Sequence, residues 1–504
     1  MSIARVMTPL LLAALAAPAV AGSLRYAEDS APAIVNPLYS TTMAEARVNE
    51  LLFGGLYADD RDLRATPLIA EGATLNAAAD ELRVTVRPGL TWHDGKPLTA
   101  RDVAFTVETL QDPKTLSTEA GRVDWVQSVS VVNDREVVFK LKRPDPQAIE
   151  KLFFKILPAH AFASRPVTRA DAFRTKPVGS GPYRLARFGD DNSITFAASP
   201  NYPKALGVSE IVMREVSDKS YQAKLLLYES LEALVRVLPR DLAILQKSRK
   251  VELYPYQTNS WWYIGFNLNA APFDDERVRQ ALACMTDVPS LLAPIGTGQT
   301  LSGPFVRSSP YYNHDVPPWP NDNARATELM KSAGFAKVGE YWSRDGQALT
   351  VTVSAHKTLE SAQEVVINLQ SQWRSAGVKV DVEFLDEAAW KARIWKQHDY
   401  DVVLAQWSFD RNEDVREQLH SSGARNFGGY KNAEVDALLD SARASRDPAA
   451  RKADLRKVHA IVHDDAPMIF LWSLDSYSAV STKVRDVVVH PFAYFSFVSD
   501  WKML

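Results

Sequence analysis

Cysteine is nearly absent from this chain of 504 residues, and this scarcity excludes a fold held together by internal disulfide bonds. Cys284 is the only cysteine. It lies on the apolar stripe of a predicted helix, where we expect a small core residue. Neither sign of charge is in excess either, because 58 Lys and Arg are balanced by 61 Asp and Glu, for a net charge of -3. This balance gives no indication of a nucleic-acid partner or of a basic membrane-binding surface.

Apolar runs long enough to cross a membrane are missing after the first residues. Arg5 supplies a positive charge near the start of the chain, and residues 6–20 form an apolar run. Ala19-Val20-Ala21, at the end of this run, has the small-x-small form of a cleavage site. We therefore predict that residues 1–21 are a secretory signal peptide, too short for a comfortable membrane span. No Cys follows this site, so we expect no lipid anchor and a soluble protein in a Gram-negative periplasm.

Motifs of the common catalytic sites are also missing. The sequence has no G-x-S-x-G, no P-loop and no G-x-G-x-x-G after a strand, which disfavours an enzyme and leaves a secreted hydrolase as a weaker alternative. His459 and His463 are four residues apart and could face one metal ion. His459, however, shares the apolar stripe of Leu455, Val458 and Val462, so we expect a core histidine, no metal site and no cofactor. His93 is interpreted as a turn residue.

The length and the ordinary composition, 46% hydrophobic and 24% charged residues, indicate a soluble protein of two or three domains. The stretch Trp261–Met285 organises the chain, and it reads WWYIGFNLNAAPFDDERVRQALACM. Its first aromatic and β-branched residues predict a strand. Asp274 is the predicted N-cap of the following helix. Apolar residues recur through that helix at helical spacing up to Met285.

Residues 265–282 of this stretch closely resemble a signature of the family 5 bacterial solute-binding proteins, which serve ABC importers of peptides, nickel and opines. Four further blocks resemble the same family: DGKPLTARDV at 94–103, LPAH at 157–160, PVGSGPY at 177–183 and the turn at 426–432. The resemblance implies an α/β fold with two lobes of the type II periplasmic-binding-protein class, and a cleft between them. Lobe I is expected to contain residues 22–257 and 473–504, with an extra subdomain at about 44–170, and lobe II residues 258–472.

The pattern in lobe II predicts a parallel sheet. Strands are expected at 349–354, 378–384 and 400–405, separated by helices at 359–376, which Gly377 ends, and at 387–398. This β-α-β-α-β order favours parallel strands with right-handed crossovers. In such sheets, ligands bind beyond the carboxyl ends of the strands.

That rule makes residues 406–414 the sharpest candidates for the ligand site. Related peptide binders carry an Asp in this region that receives the α-ammonium group of the peptide. The resemblance assigns this role to Asp410, beside Trp407 and Phe409, with Asp414 as the competing choice. The alternative is that these carboxylates belong to a solvated loop.

The other candidate ligand residues come from several parts of the chain. Lys357 is the predicted partner of a ligand carboxylate, with an exposed lysine as the alternative. Gly179 and Gly181 are either a wall of the cleft or a tight turn. Three aromatic residues, Trp261, Trp262 and Tyr263, are predicted to form apolar walls. Asn36 lies in an Asn-Pro turn that resembles one which the family places near its ligand.

The resemblance implies a binding function. The expected role is capture of a short peptide by lobe closure and its delivery to an ABC permease and ATPase complex in the inner membrane. A nickel or other metal chelate and an opine-like solute are the alternative ligands. The chain itself is expected to catalyse nothing and to be a monomer.

Overall fold

The computed structural model describes residues 22–162, 165–409 and 413–504. The predicted signal peptide at residues 1–21 and the predicted ligand residue Asp410 lie outside these ranges.

The helices are distributed along the whole described chain. In chain order they are α1 (Met43–Leu52), α2 (Ala100–Gln111), α3 (Ala159–Phe162), α4 (Lys219–Leu227), α5 (Pro239–Gln246), α6 (Glu276–Cys284), α7 (Val288–Leu292), α8 (Asn323–Ser332), α9 (Ala362–Ala376), α10 (Glu387–Ala389), α11 (Arg416–Leu419), α12 (Ala433–Ala444) and α13 (Pro448–Asp465). A π-helix, Trp390–Gln397, continues α10. Short 3-10 helices are Pro113–Thr115, Ala120–Val123, Ala148–Lys151, Ala172–Arg174 and Val498–Asp500.

The strands alternate with these helices and belong to several sheets. They are β1 (Ser23–Glu28), β2 (Tyr57–Asp59), β3 (Ala65–Pro67), β4 (Ala70–Leu75), β5 (Glu81–Val86), β6 (Val126–Asn133), β7 (Glu136–Leu141), β8 (Tyr183–Phe188), β9 (Ile194–Ala198), β10 (Glu210–Glu215), β11 (Ala233–Leu234), β12 (Val251–Tyr256), β13 (Ser260–Phe266), β14 (Gly298–Thr300), β15 (Ala336–Val338), β16 (Tyr341–Arg344), β17 (Gln347–Ala348), β18 (Thr350–His356), β19 (Lys379–Leu385), β20 (Val402–Ser408), β21 (Met468–Phe470), β22 (Trp472–Leu474), β23 (Ser476–Ser481), β24 (Val484–Arg485) and β25 (Lys502–Met503).

The first large sheet combines both ends of the chain. Its seven strands among the described residues run in the order β12-β23-β11-β1-β10-β9-β8. β1 pairs in parallel with β10 and β11, whereas β23 pairs antiparallel with β11 and β12. Tyr26 of β1 and Leu51 of α1 belong to the same hydrophobic core. Because β23 lies between β12 and β11, the C-terminal segment is an internal part of this sheet.

The second large sheet contains the organising stretch. Within the described ranges its five strands run in the order β19-β18-β20-β13-β21. β18 pairs in parallel with both β19 and β20, as the β-α-β-α-β pattern predicts. β13 lies antiparallel between β20 and β21, and it is buried on both faces because nearly all of its side chains are apolar. Separate hydrophobic cores cover the two faces of this sheet.

A smaller antiparallel sheet lies within the range predicted for the extra subdomain. It has the order β4-β5-β7-β6, and α2 packs against β6 and β7. The N-terminus of α2 has a capping box, in which the Thr99 N–H donates to Asp102 Oδ2 over 2.8 Å. Asp102 is buried, and it also accepts the backbone N–H of Ala159 over 2.9 Å. The block at 94–103 is thus an anchor between α2 and α3.

Two predictions of local structure are wrong by a short distance along the chain. The N-cap of α6 is Asp275, whose Oδ1 accepts the N–H of Arg277 over 2.9 Å, and not Asp274. β20 continues to Ser408, past the predicted end at residue 405, because its pairing with β13 extends to Ser260. The residues predicted to follow the strand therefore start inside it. Gly377 ends α9 in the left-handed conformation, as predicted (φ 99°).

Two short segments connect the large sheets. Residues 257–259 lead from β12 to β13, and residues 471–475, which include β22, lead from β21 to β23. The segments are joined by a hydrogen bond of 2.8 Å from Gln257 Nε2 to Ser473 Oγ. In the part of the chain that the structure describes, no helix is both long and apolar enough to cross a membrane.

Candidate functional site

A cavity of about 1270 Å³ is lined by residues that come from the N-terminal part of the chain and from the second sheet and its connections, and we call it the large cavity. Its walls contain both apolar and charged side chains. Wall residues from the N-terminal part of the chain include Leu38, Asn49, Glu50, Tyr57, Lys155 and Arg236, and those from the second sheet and its connections include Ser260, Trp262, Glu360, Gln406, Ser408 and Phe409.

The pairing of β13 with β20 decides which aromatic residues reach this cavity. Trp262 is opposite Gln406, and Ser260 is opposite Ser408. Side chains alternate between the faces of a sheet, so these four residues share the face that lines the large cavity. Trp262 also stacks on Trp472, with ring centroids 5.8 Å apart. Its indole N–H is buried and has no hydrogen-bond partner among the described residues.

The residues between them lie on the other face of the sheet. The Tyr263 and Trp407 rings are nearly parallel, at an angle of 2° and a centroid distance of 6.2 Å. Both line a smaller cavity of about 110 Å³. Phe427 continues the stack at 6.4 Å from Trp407. Trp261, on the same face, stacks on Phe409 at 5.8 Å, and Phe409 reaches the large cavity. Of the predicted aromatic wall, Trp262 and Phe409 line the large cavity directly, and Trp261 supports Phe409.

The predicted acidic residues follow β20 in the sequence. Asp410 is outside the described residues, but the preceding Phe409 donates its N–H to Asn259 O over 2.7 Å. Asp414 is exposed, and its Oδ1 accepts the N–H of Arg416 over 3.0 Å. The choice between the two carboxylates stays a prediction.

Gly179 and Gly181 pack against the C-terminal end of α1. Gly181 N–H donates to Leu52 O over 2.8 Å. A Cβ at Gly181 would lie 2.4 Å from Leu51 O, and one at Gly179 would lie 1.9 Å from Leu52 O. These distances explain why glycine is needed here, and they are the close backbone approach expected of a tight turn. Neither glycine is among the residues that line the large cavity.

His93 holds the same turn in place. Its backbone N–H donates to Gly179 O over 2.8 Å, and its Nδ1 accepts the N–H of Gly179 over 3.2 Å. Its Nε2 lies 3.0 Å from Gly181 O. This arrangement fits a neutral ring with the proton on Nε2, and burial lowers the pKa of His93 accordingly. The interpretation of His93 as a turn residue is confirmed.

Asn36 and Lys357 lie next to the large cavity rather than in its wall. Asn36 is buried, and its Oδ1 accepts the N–H of Leu38, a wall residue, over 3.0 Å. The Lys357 side chain is exposed, while Glu360, three residues later, belongs to the wall. Asn36 thus shapes the turn that places Leu38 in the wall. Lys357 is not among the described residues that line the large cavity.

Sequence reasoning missed the charged groups that the first sheet and its helix α1 bring to the large cavity. Met43, Ala46, Asn49 and Glu50 recur at helical spacing along α1 and line the wall. Glu50 Oε2 accepts the N–H of Phe495 over 2.8 Å, and burial raises the pKa of Glu50. The only sequence signal for this wall is a charged residue, Lys155, inside the apolar run 152–157.

The two histidines that suggested a metal alternative are hydrogen-bonded within the core. His459 Nε2 lies 2.9 Å from Ser302 Oγ, and His463 Nδ1 lies 2.9 Å from Ser302 O. Burial lowers the pKa of His459 to about 3, with His463 and Arg456 adding smaller effects in the same direction. The expectation of a core histidine is confirmed. Within the described ranges, no group of three or more His, Cys, Asp or Glu side chains is arranged to hold a metal ion.

Comparison with known proteins agrees with this architecture. Residues 64–427 match the family described as bacterial extracellular solute-binding proteins, family 5. The chain belongs to this family. The family 5 chain is 30% identical to Protein XP55 of Streptomyces lividans over 441 residues, which cover 85% of this chain and 79% of the relative. It is 24% identical to the oligopeptide-binding protein AppA of Bacillus subtilis over 94% of this chain and 90% of AppA.

Solved structures show the same fold. HbpA2 of Haemophilus parasuis superposes with a TM-score of 0.87 at 18% identity, over 96% of this chain and all of the other. AppA of Bacillus subtilis, solved in complex with a nonapeptide, superposes with a TM-score of 0.74 at 23% identity, over 96% of this chain and 99% of AppA. The family 5 chain therefore has the two-lobe α/β binding-protein fold. Its family consists of solute-binding proteins of transporters.

Proposed function

We propose that this chain is the periplasmic substrate-binding protein of an ABC transporter and that it captures short peptides in the large cavity. The observation that carries the proposal is a cavity with walls from both large sheets in a family 5 fold. Its volume of about 1270 Å³ exceeds the range of about 300–1,000 Å³ common for small-molecule pockets, which favours an extended ligand. AppA, a relative of this chain, is an oligopeptide-binding protein.

The proposed motion is a hinge closure of lobe II onto lobe I. We place the lobe boundaries at the two connections, near residues 257 and 473, where the Gln257–Ser473 hydrogen bond links them. Few residues need to change conformation at such a hinge. Arg236 and Glu360 support the motion, because their 3.6 Å ion pair joins opposite walls of the large cavity. Ligand that contacts both walls would favour the closed form.

The remaining parts of the proposal concern export and delivery. Residues 1–21 would direct the chain to the periplasm and be removed there. The closed, loaded form would dock on a permease whose ATPase subunits supply the energy, while this chain only binds. In the site, Asp410 would receive the ligand's ammonium group, and Trp262 and Phe409 would contact its apolar side chains.

Native mass spectrometry of the mature protein, purified gently from a periplasmic extract, tests this function. The expected result is a set of bound peptides that are released on denaturation and identified by their masses. A metal chelate or an opine-like solute in their place would refute the peptide ligand while leaving the transport role. If the protein is empty, peptide pools are then added and retention is measured, and retention of none would refute the peptide ligand as well.

The role of Asp410 has a matched control in Asp414. Asp410→Ala should weaken binding of amine-bearing peptides by about 2–5 kcal/mol, because it removes one partner of a desolvated charge pair. Asp414→Ala should change affinity little, since Asp414 is exposed and already hydrogen-bonded to Arg416. Calorimetric titration of both variants measures the difference. The reverse order of effects would assign the ammonium group to Asp414.

A further inference from the structure

The cations in the wall of the large cavity differ in their partners. Arg122, Lys151, Lys155 and Arg236 all line it. Three of them form ion pairs: Arg122 with Glu119, Lys151 with Asp145 over 2.6 Å, and Arg236 with Glu360 over 3.6 Å. In the described part of the chain, no carboxylate lies within ion-pair distance of Lys155 Nζ, and this nitrogen donates no hydrogen bond. Lys155 is therefore the wall cation that lacks an anion.

The backbone holds Lys155 firmly in this wall. Lys155 pairs with Gly55 in an antiparallel bridge, and the next residue, Ile156, donates its N–H to Gly54 O over 3.0 Å. Lys155 lines the large cavity from this extended segment, between Phe154 and Ile156, which are buried in the core. The backbone position of Lys155 is thus a consequence of the fold.

The surroundings of Lys155 leave its charge poorly compensated. Its side chain is partly buried, and burial lowers the pKa of Lys155, with Arg122 acting in the same direction. Glu50 lines the same wall and acts in the opposite direction, but it lies beyond ion-pair distance and is bonded to the Phe495 N–H. A desolvated cation without a partner is unfavourable, and a ligand anion would supply the missing charge-assisted hydrogen bond.

We infer that Lys155 binds a carboxylate of the ligand, so that the ligand is a peptide with a free carboxyl end or an acidic side chain. This inference rests on the proposed peptide-binding function. It places the carboxylate on the lobe I wall, across the large cavity from the end of β20. It also gives Lys155 the role that the sequence predicted for Lys357. Glu50 would repel the ligand carboxylate only when Glu50 is ionised. Burial raises the pKa of Glu50, which weakens this repulsion.

Three lysine variants and three peptide libraries test the inference. The variants are Lys155→Met, Lys151→Met and Lys357→Met. Lys151 is the matched control, because it lies four residues from Lys155 in the same cavity wall but already pairs with Asp145. Two libraries of random short peptides without Asp and Glu carry either a free carboxyl end or a carboxamide end. The third has a carboxamide end and one Glu. Affinities are measured by calorimetric titration, and melting curves verify that each variant is folded.

The wild-type protein should bind one of the two carboxylate-bearing libraries about 10- to 100-fold more tightly than the amide library without Glu. Lys155→Met should remove this preference, so that the three libraries bind with similar affinity, while Lys151→Met and Lys357→Met should keep it. Lys155→Arg should restore part of the preference, and Lys155→Gln should behave like Lys155→Met. The Gln variant provides the same test if the Met variant does not fold.

Two results would overturn the inference and leave the proposed function intact. One is equal affinity of the wild-type protein for all three libraries. The other is a preference that survives in Lys155→Met. Its disappearance in Lys357→Met would then return the carboxylate to Lys357. Failure of the wild-type protein to bind any of the libraries would instead refute the peptide function, and the inference with it.

Discussion

Replacing Gly179 with alanine should destabilise the protein because the turn at Gly179 leaves no room for a methyl group. The added Cβ would lie 1.9 Å from Leu52 O, 2.8 Å from Leu52 C and 3.0 Å from His93 Cε1. The first two atoms are backbone at the end of α1, so the chain itself must move. Overpacking of this kind costs about 1–3 kcal/mol. Disturbing the two hydrogen bonds between His93 and Gly179 adds about 0.5–1.5 kcal/mol for each bond.

The total loss for Gly179→Ala is therefore about 2–6 kcal/mol, which corresponds to a fall of roughly 4–24 °C in the Tm of the lobe that contains this turn. Scanning calorimetry measures the change. Gly72→Ala is the control, since a Cβ at Gly72 would meet nothing within 4 Å, and its Tm should stay close to that of the wild type. An unchanged Tm for Gly179→Ala would refute the packing argument. Weaker ligand binding without loss of stability would favour the alternative that Gly179 forms a wall of the cleft.

Two further predictions concern pH and the contact between the lobes. The native His459 stays neutral down to about pH 3, whereas the unfolded chain takes up this proton near pH 6.5, so the residue removes about 1.4 kcal/mol of stability per pH unit as pH falls between these values. His459→Gln should therefore lose less Tm than the wild type between about pH 6 and about pH 4, and equal losses would contradict a neutral core histidine. Arg236→Ala and Glu360→Ala should each weaken ligand binding by no more than about fivefold, less at high salt, because both side chains are largely exposed. The double variant should bind no more weakly than either single variant, and additive losses in titrations would show that the two residues act independently.

Local patterns predicted the second sheet well because its strands and helices have clear periodicity. The alternation in β18 and β19 and the apolar stripe of α9 are visible in the sequence, and Gly377 marks the end of that helix. The end of β20 was less visible. Gln406 and Ser408 are polar, and they resemble loop residues until the partner strand β13 is known. Pairing across 146 residues of sequence extends the strand, and this tertiary effect has no local signal.

The candidate site was only partly predictable for the same reason. Sequence reasoning found the aromatic residues of β13 and β20, but the register of the pair decides that Trp262 faces the large cavity and that Tyr263 and Trp407 do not. The opposite wall combines α1, the segment around Lys155 and the start of α5, which are distant in the sequence. No single motif contains them. The charge of Lys155 within an apolar run was the one available indication.

The position of β23 has a consequence for the order in which the molecule can fold. β12 pairs only with β23 among the described strands, and β23 also pairs with β11. Residues 476–481 are made long after residues 251–256, so β12 has no neighbour until β23 emerges from the ribosome. The first sheet therefore cannot be completed before β23 is made, whereas the strands of the second sheet all precede residue 471. Until β23 arrives, the growing chain carries β12 as an unpaired strand, whose backbone groups are open to pairing with other chains.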